Sequence, residues 1–249
     1  MKKVYGVLGK KLSHSFSRKY FEKKFSELGL NDHSYENFEY DSVCDFIKVL
    51  KERKEICGFN VTNPYKAEII PFLDEGNEEV KNTNAVNCVK NIDGKLFGYN
   101  TDVYGFSQSI KPFLDHTHSR ALVLGSGGAA RAVASVLKRV GVEVYFVTTS
   151  KIKNQANFFF YSELNEIIFK SFKLIVNATP LGMFPSVDTY PNIPYSYISS
   201  DHLCYDLIYN PQETVFLRNC REQGATGING LSMLHLQADK SWEVWNNLI

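Results

Sequence analysis

The sequence predicts an α/β protein made of two layered domains, and three observations carry that prediction. Short apolar runs alternate with segments whose apolar residues recur every three or four positions, the pattern of strands covered by helices. A continuous apolar run, Ala121-Leu122-Val123-Leu124, leads into a glycine-rich loop and then an Ala-rich helix, the sequence form of a buried parallel strand. Finally, 249 residues with 44% apolar and 22% charged content are enough for one large core or two small ones.

The elements follow in order. Val4 to Leu8 reads as a strand that Gly9 ends. A polar loop, Ser13 to Ser17, leads to a helix over about 18–28, with Ser17 as N-cap, Gly29 as stop, and Phe21, Phe25 and Leu28 on one apolar stripe. Tyr35 to Tyr40 alternates as a strand, and Asp41 caps a second helix whose face is Val43, Phe46, Ile47 and Leu50. Gly58 to Thr62 is a short strand stopped by Pro64, and Ala67 to Leu73 is a short helical piece interrupted by Pro71. Ala85 to Lys90 and Leu96 to Tyr99 flank Asn91-Ile92-Asp93-Gly94, a hairpin signal. After Asp102 a helical segment runs to Asp115–Ser119, read as the hinge between domains. Then come the strand 121–124, a helix over 129–140 ended by Gly141, a strand over 142–147, and later strands at 174–176 and 203–205. Residues 151–172, with Phe158 to Tyr161, fit either a strand or a buried helix, and 184–200, with Pro185, Pro191 and Pro194, read as irregular connector. A last helix, about 232–246, carries Leu234, Ala238, Trp242 and Trp245 at near-helical spacing.

Composition narrows the function. Lys+Arg 28 against Asp+Glu 27 leaves a net charge of +1, so no basic field recruits nucleic acid or an anionic membrane. No apolar stretch reaches transmembrane length, and the N-terminal run is too short and glycine-broken for a signal peptide. Five cysteines, at 44, 57, 88, 204 and 220, form no Cys-x-x-Cys pair, which fits a cytoplasmic setting rather than a disulfide framework. His116-x-His118 reads as surface, and no metal site is expected.

Three groups of loops carry chemistry. The first is a pair of turns bearing a lysine and an aspartate, Lys66 in Asn60-Val61-Thr62-Asn63-Pro64-Tyr65-Lys66 and Asp102 in Asn100-Thr101-Asp102. These read as a proton-transfer pair, and together with Ser15, Ser17, Asn60, Thr62 and Asn87 they form a donor and acceptor set suited to a polyhydroxylated, carboxylated small molecule. The second is Gly125-Ser126-Gly127-Gly128-Ala129-Ala130, a dinucleotide fingerprint with alanine at the third small site: a tight turn, a close approach to pyrophosphate, and a helix N-terminus facing the phosphates. At the next strand's end, where an acidic residue would bind a free ribose hydroxyl, the chain has Thr148-Thr149-Ser150-Lys151-Ile152-Lys153, which suits the 2′-phosphate of NADP better than NAD. The third, Asn177-Ala178-Thr179-Pro180-Leu181-Gly182-Met183, follows a strand at the sheet's carboxyl edge.

Taken together the motifs resemble those of the shikimate dehydrogenase family, along essentially the whole chain and in order. To the loops above are added His14-Ser15-x-Ser17, Ala85-Val86-Asn87, Tyr205-Asp206-x-x-Tyr209-x-Pro211 and Asn229-Gly230-Leu231-x-Met233-Leu234-x-x-Gln237-Ala238. The resemblance implies reversible NADPH-dependent reduction of 3-dehydroshikimate to shikimate, a step of aromatic amino acid biosynthesis. It implies a substrate-binding α/β domain over 1–103 and 231–249, to which the C-terminal helix returns, and a Rossmann-like dinucleotide domain over 104–230. Lys66 and Asp102 become the catalytic pair. Ser15 and Ser17 hold the carboxylate, and Asn60, Thr62, Asn87, Tyr209 and Gln237 hold the rest of the substrate. Gly125, Ser126, Gly127, Gly128, Ala129, Thr148, Thr149, Lys153, Thr179, Leu207 and Gly230 meet the cofactor. A monomer or homodimer is implied. Departures from the family pattern are Arg18 for proline, Tyr20-Phe21 for His-Asn, Cys88 for threonine, and Thr148-Thr149-Ser150 for Asn-Arg-Thr, which removes the 2′-phosphate arginine and leaves NAD as the alternative cofactor. The alternative functions are an NAD(P)-dependent quinate/shikimate or aminoshikimate dehydrogenase and a non-catalytic shikimate- or dinucleotide-binding protein.

Overall fold

The computed structural model describes residues 2–12, 16–149 and 157–246. The chain forms two compact units, Met1–Thr101 with Ala238–Ile249, and Asp102–Gln237.

The first unit contains β1 (Lys3–Gly9), α1 (Phe16–Glu27), β2 (His33–Glu39), α2 (Val43–Glu52), β3 (Ile56–Val61), β4 (Glu75–Gly76), α3 (Glu78–Thr83), β5 (Cys88–Ile92) and β6 (Lys95–Tyr99). Its six-stranded sheet runs β2-β1-β3-β5-β6-β4, parallel at β2-β1-β3 and antiparallel through β3-β5-β6. β1 is buried along nearly its whole length because helices cover both faces of a parallel strand. In α2 the predicted stripe holds, with Val43, Phe46 and Leu50 buried, but the N-cap is Ser42, whose hydroxyl accepts from the Asp45 amide, rather than Asp41. In α1 the stripe stops early: Phe21 and Phe25 are buried, whereas Leu28 lies past the helix end and is 54% exposed, because Gly29 at φ +66° turns the chain there and Leu30 packs in its place. Ser17 is inside the first turn of α1, not its cap.

The second unit contains α4 (Thr101–Ile110), β7 (Arg120–Leu124), α5 (Gly128–Arg139), β8 (Glu143–Thr148), β9 (Phe158–Phe160), α6 (Glu166–Ser171), β10 (Leu174–Asn177), β11 (Leu203–Asp206), α7 (Val215–Glu222), β12 (Thr226–Ile228) and the first half of α8 (Leu231–Trp245), whose second half belongs to the first unit. The ambiguous 151–172 stretch thus holds a strand and a short helix in its described part. All strands are parallel in the order β12-β11-β10-β7-β8-β9. Counted from β7 this is the doubly wound order, with a switch point between β7 and β10. The 115–119 loop lies inside this unit and is not a hinge between units. The chain passes from one unit to the other within α4 and within α8, both continuous helices.

The last turns of α8 complete the first unit's core. Trp245 packs on Tyr5 (4.9 Å) and Phe21 (5.3 Å) and donates its indole N–H to the Val89 carbonyl (2.9 Å). A Cβ at Gly58 would stand 2.4 Å from the Trp245 ring, so glycine there makes room for the indole. The departure Tyr20-Phe21 has its explanation in the same place: Phe21 stacks on Tyr35 at 4.7 Å, and the Tyr20 hydroxyl donates to Asp239 of α8 (2.5 Å), beside a Lys24–Asp239 ion pair.

Candidate active site

Two of the residues expected on the substrate side, Asn60 and Asn87, meet in a buried polar cluster of the first unit. The Asn60 amide, at the end of β3, donates to the Asn87 carbonyl (3.1 Å) and to Ser241 Oγ of α8 (2.9 Å), and its Oδ1 accepts from the Tyr35 hydroxyl (2.9 Å). Asn87, just before β5, accepts the Thr101 amide N–H (2.6 Å) at Oδ1 and donates to Thr101 Oγ1 (3.0 Å). Thr101 Oγ1 in turn shares a hydrogen bond with Ser241 Oγ (3.1 Å). Ser17 hydrogen-bonds to Tyr35, whose phenol burial holds well above its usual range. Asn60, Asn87, Thr101 and Ser241 are all buried. Among low-dielectric surroundings such groups must be mutually satisfied, which fixes their orientation.

Lys66 is half-buried on the loop after β3, and its carbonyl accepts the Val86 amide N–H (2.7 Å), one residue before Asn87. Asp102 follows Thr101 in the first turn of α4, inside the helix rather than capping it. One turn on, a Cβ at Gly105 would stand 2.6 Å from the Met233 carbonyl and 3.0 Å from Gln237 Cβ, so glycine lets α4 and α8 close together and brings Gln237 to the helix that carries Asp102. Gln237 is buried and donates to the Leu234 carbonyl (2.9 Å). Thr62 is half-buried; its amide donates to Leu8 (2.9 Å), and its methyl lies where a side chain at Gly9 would go. Ser15 lies outside the described residues. Tyr35 and Ser241 escaped sequence reasoning. The available signal was Ser241 standing alone as a small polar residue between Ala238 and Trp245 on the apolar face of α8.

The dinucleotide side lies at the switch point of the second sheet. Gly125 has φ +101°, a conformation that favours glycine, and its amide donates to Val147 (2.8 Å). A Cβ there would come within 3.3 Å of the Ala178 carbonyl and Thr179 Cγ2, so the β7 and β10 loops meet at this point. Gly127 differs. Its φ of −74° suits any residue and a Cβ would meet nothing within 4 Å, so neither strain nor protein packing calls for glycine. Gly127 is also the N-cap of α5, with no side-chain cap and no acidic residue in the first turn, which leaves the amides of Gly128 and Ala129 and the positive end of the helix for an anion. An open front and an uncapped twelve-residue helix fit a pyrophosphate-bearing dinucleotide. Ser126 is half-buried, and its carbonyl accepts from Arg131 (3.3 Å).

Around the β10 loop the polar groups are built inward. The Thr179 amide (3.1 Å) and hydroxyl (2.6 Å) both donate to Asn177 Oδ1, and Asn177 Nδ2 donates to Asp206 Oδ1 (3.1 Å). Asp206, fully buried at the end of β11, also accepts from the Ile208 amide (3.0 Å) and the Thr214 hydroxyl (2.6 Å). Burial pushes its carboxyl up to about 6, against the pull of those three hydrogen bonds. The Leu207 amide donates to the Asn177 carbonyl (3.0 Å), and Gly230 is glycine because Leu207 O would lie 2.2 Å from its Cβ. Tyr209, next along, is half-buried, with a phenol raised by burial. At the end of β8, Thr148 is buried and Thr149 exposed. Lys151 and Lys153 lie outside the described residues.

A doubly wound sheet with an open glycine front at its switch point, on one chain with a buried amide and hydroxyl cluster, defines a dinucleotide-dependent oxidoreductase of small polar molecules. The chain belongs to the shikimate dehydrogenase family. The family's substrate-binding domain, "Shikimate dehydrogenase substrate binding domain", matches residues 7–89. The NADP(+) shikimate dehydrogenase of Carboxydothermus hydrogenoformans is 38% identical, over 99% of this chain and 92% of its own. The crystal structure of shikimate dehydrogenase from Aquifex aeolicus superposes with a TM-score of 0.88 at 33% identity, covering 99% of this chain and 93% of that one. The Thermus thermophilus enzyme, solved with NADP(H) and shikimate, superposes with a TM-score of 0.86 at 30% identity, covering 99% and 94%.

Proposed function

We propose that this protein is a shikimate dehydrogenase that reversibly reduces 3-dehydroshikimate to shikimate with NADPH. The observation that carries this is that residues matching both halves of the family's motif set stand in built sites: Asn60 and Asn87 in the buried cluster of the first unit, Gly125 and Gly127 at the switch point of the second. The units would divide the labour, substrate on Met1–Thr101 with Ala238–Ile249 and dinucleotide on Asp102–Gln237. Ser126, Gly128, Ala129, Thr148, Thr149, Lys153, Thr179, Leu207 and Gly230 would complete the cofactor side.

The bound cofactor supplies the hydride to the ring ketone. The chain's own work is to hold the ring and manage one proton. Lys66 as ammonium gives that proton to the developing alkoxide, and as amine takes it back in the reverse direction. Asp102 accepts a hydrogen bond from the same hydroxyl and orients the lysine. Ser15 and Ser17 would hold the carboxylate, and Asn60, Thr62, Asn87, Tyr209 and Gln237 the remaining oxygens. Asn60 would serve as an acceptor, because both its N–H bonds are already given to Asn87 and Ser241. The free cysteines fit a reducing cytoplasm, and the reaction places the protein in aromatic amino acid biosynthesis.

The test follows nicotinamide absorbance with shikimate and with quinate, each with NADP⁺ and with NAD⁺. Turnover with shikimate and NADP⁺ is the expected result. Turnover only with NAD⁺ would favour the alternative that the exposed Thr149 raises, a loop without the 2′-phosphate arginine. No turnover in any combination would overturn the enzymatic reading.

A further inference from the structure

The polar cluster of the first unit depends on two hydroxyls that no motif marks, Tyr35 on β2 and Ser241 on α8, 2% and 0% exposed. Asn60 lies between them. Its two donated hydrogen bonds and the one it accepts from Tyr35 fix which end of the amide faces which way. At the far side Ser241 is joined to Thr101, the residue that opens α4 one position before Asp102 and whose amide is held by Asn87. At the near side Ser17 reaches Tyr35. The hydrogen bonds therefore run Ser17, Tyr35, Asn60, Ser241, Thr101, Asn87, and they include three residues assigned above to the substrate.

Packing alone does not call for these hydroxyls. Phe21 stacks on the Tyr35 ring whether or not it carries oxygen, and position 241 shares its helix face with Ala238 and Trp245. We propose that Tyr35 and Ser241 are positioning residues for the substrate: they set the acceptor face of Asn60 and the start of the helix bearing Asp102, and through these the affinity for the polyhydroxylated ring. The proposal rests on the dehydrogenase reading above and adds two residues to it.

Tyr35→Phe and Ser241→Ala each remove one hydroxyl. Steady-state kinetics with shikimate and NADP⁺, and calorimetric titration with shikimate alone, read the effect on the whole protein. Each variant is expected to raise the shikimate KM and Kd roughly tenfold, the scale of one buried hydrogen bond left unmade, with the NADP⁺ KM changed less than twofold. The double variant should lose less than the product of the two, since both act on Asn60. A lowered melting temperature with shikimate Kd and KM within twofold of the parent would make the cluster structural only and overturn the proposal. Tyr35→Phe keeps the ring stack and carries the test alone if Ser241→Ala does not fold. A parent protein that binds shikimate without turnover would sink the dehydrogenase reading while the Kd values still decide this one. A parent that does not bind shikimate would overturn both.

Discussion

Lys66 and Asp102 are each half-buried, and each is anchored through its neighbours in the backbone rather than by strain: Lys66 through its carbonyl to Val86, Asp102 through Thr101 to Asn87. Positioned proton transfer contributes about 10²–10⁴-fold in rate, so Lys66→Ala should lower kcat by that order while the shikimate KM changes little. Stopped-flow or steady-state rates at saturating substrate check this, and a near-parental kcat would remove Lys66 from the chemistry. Asp206 supplies a pH dependence of stability. Its carboxyl is raised from 3.8 to about 6 in the folded protein, so its contribution is fully present below about pH 4 and is lost as pH rises through about 6. His202 has the opposite sign: burial lowers it from 6.5, and the stability it contributes is present above pH 6.5 and lost on acidification. Asp206→Asn should therefore remove the alkaline-side loss and make the urea-denaturation free energy rise more steeply between about pH 4 and 6. The change amounts to no more than ~3 kcal/mol over that range, at ~1.4 kcal/mol per tenfold. An unchanged pH profile would mean Asp206 does not titrate there.

At the scale of elements, the two glycines next to the dinucleotide side should respond differently. Gly127→Ala meets nothing and needs no special backbone, so it should cost no more than ~1 kcal/mol of stability, the N-cap preference alone, while raising the NADP⁺ KM tenfold or more. Gly230→Ala drives a methyl into the Leu207 carbonyl and should cost ~1–3 kcal/mol or distort the end of β11. Thermal melts beside cofactor titrations separate the two cases. The same elements show what could be read beforehand. β7, the glycine loop and α5 were legible because a buried parallel strand and a phosphate-facing turn each have a local sequence form. α7 carries a local signal of its own, the Thr214 cap followed by Phe216, Leu217 and Cys220, which the motif-led reading of that stretch leaves aside. The two-residue β4, the three-residue β12 and the six-residue α3 are too short for any periodicity and exist through pairing with neighbours. In the site, Lys66, Asp102, Asn60 and Asn87 stood in recognisable loops. Tyr35 and Ser241 did not, because a buried hydroxyl on an apolar face acquires its partners only from elements far away in sequence.

At the scale of the whole molecule, both tryptophans stand on α8, and Trp245 is buried in the first unit's core with Ala238 and Val244. Trp245→Ala leaves a cavity over Gly58 and removes the indole's hydrogen bond to the Val89 carbonyl, a loss of ~3–5 kcal/mol, or roughly 6–20 °C in melting temperature for a chain of this size. The second unit has its own cores, around Phe106, Leu137 and Tyr205 on one face of its sheet and Phe169, Phe216 and Leu217 on the other. NADP⁺ binding at low temperature should consequently survive Trp245→Ala while shikimate binding weakens. Equal losses for both ligands would show that the damage is not confined to the first unit.

The return of α8 also sets an order of events on the ribosome. Residues 1–101 leave the exit tunnel first, yet the indole that fills the space over Gly58 and the serine that ties Asn60 to Thr101 come last. At ~5–20 residues per second the second unit takes on the order of ten seconds to make, and it can fold as one continuous piece in that time. Throughout it the nascent first unit keeps Tyr5, Phe21 and Phe25 without the helix that covers them. Of the two units, the one made earlier is thus the one whose aromatic surface waits for its covering helix, while the one made later carries all of its own cores with it.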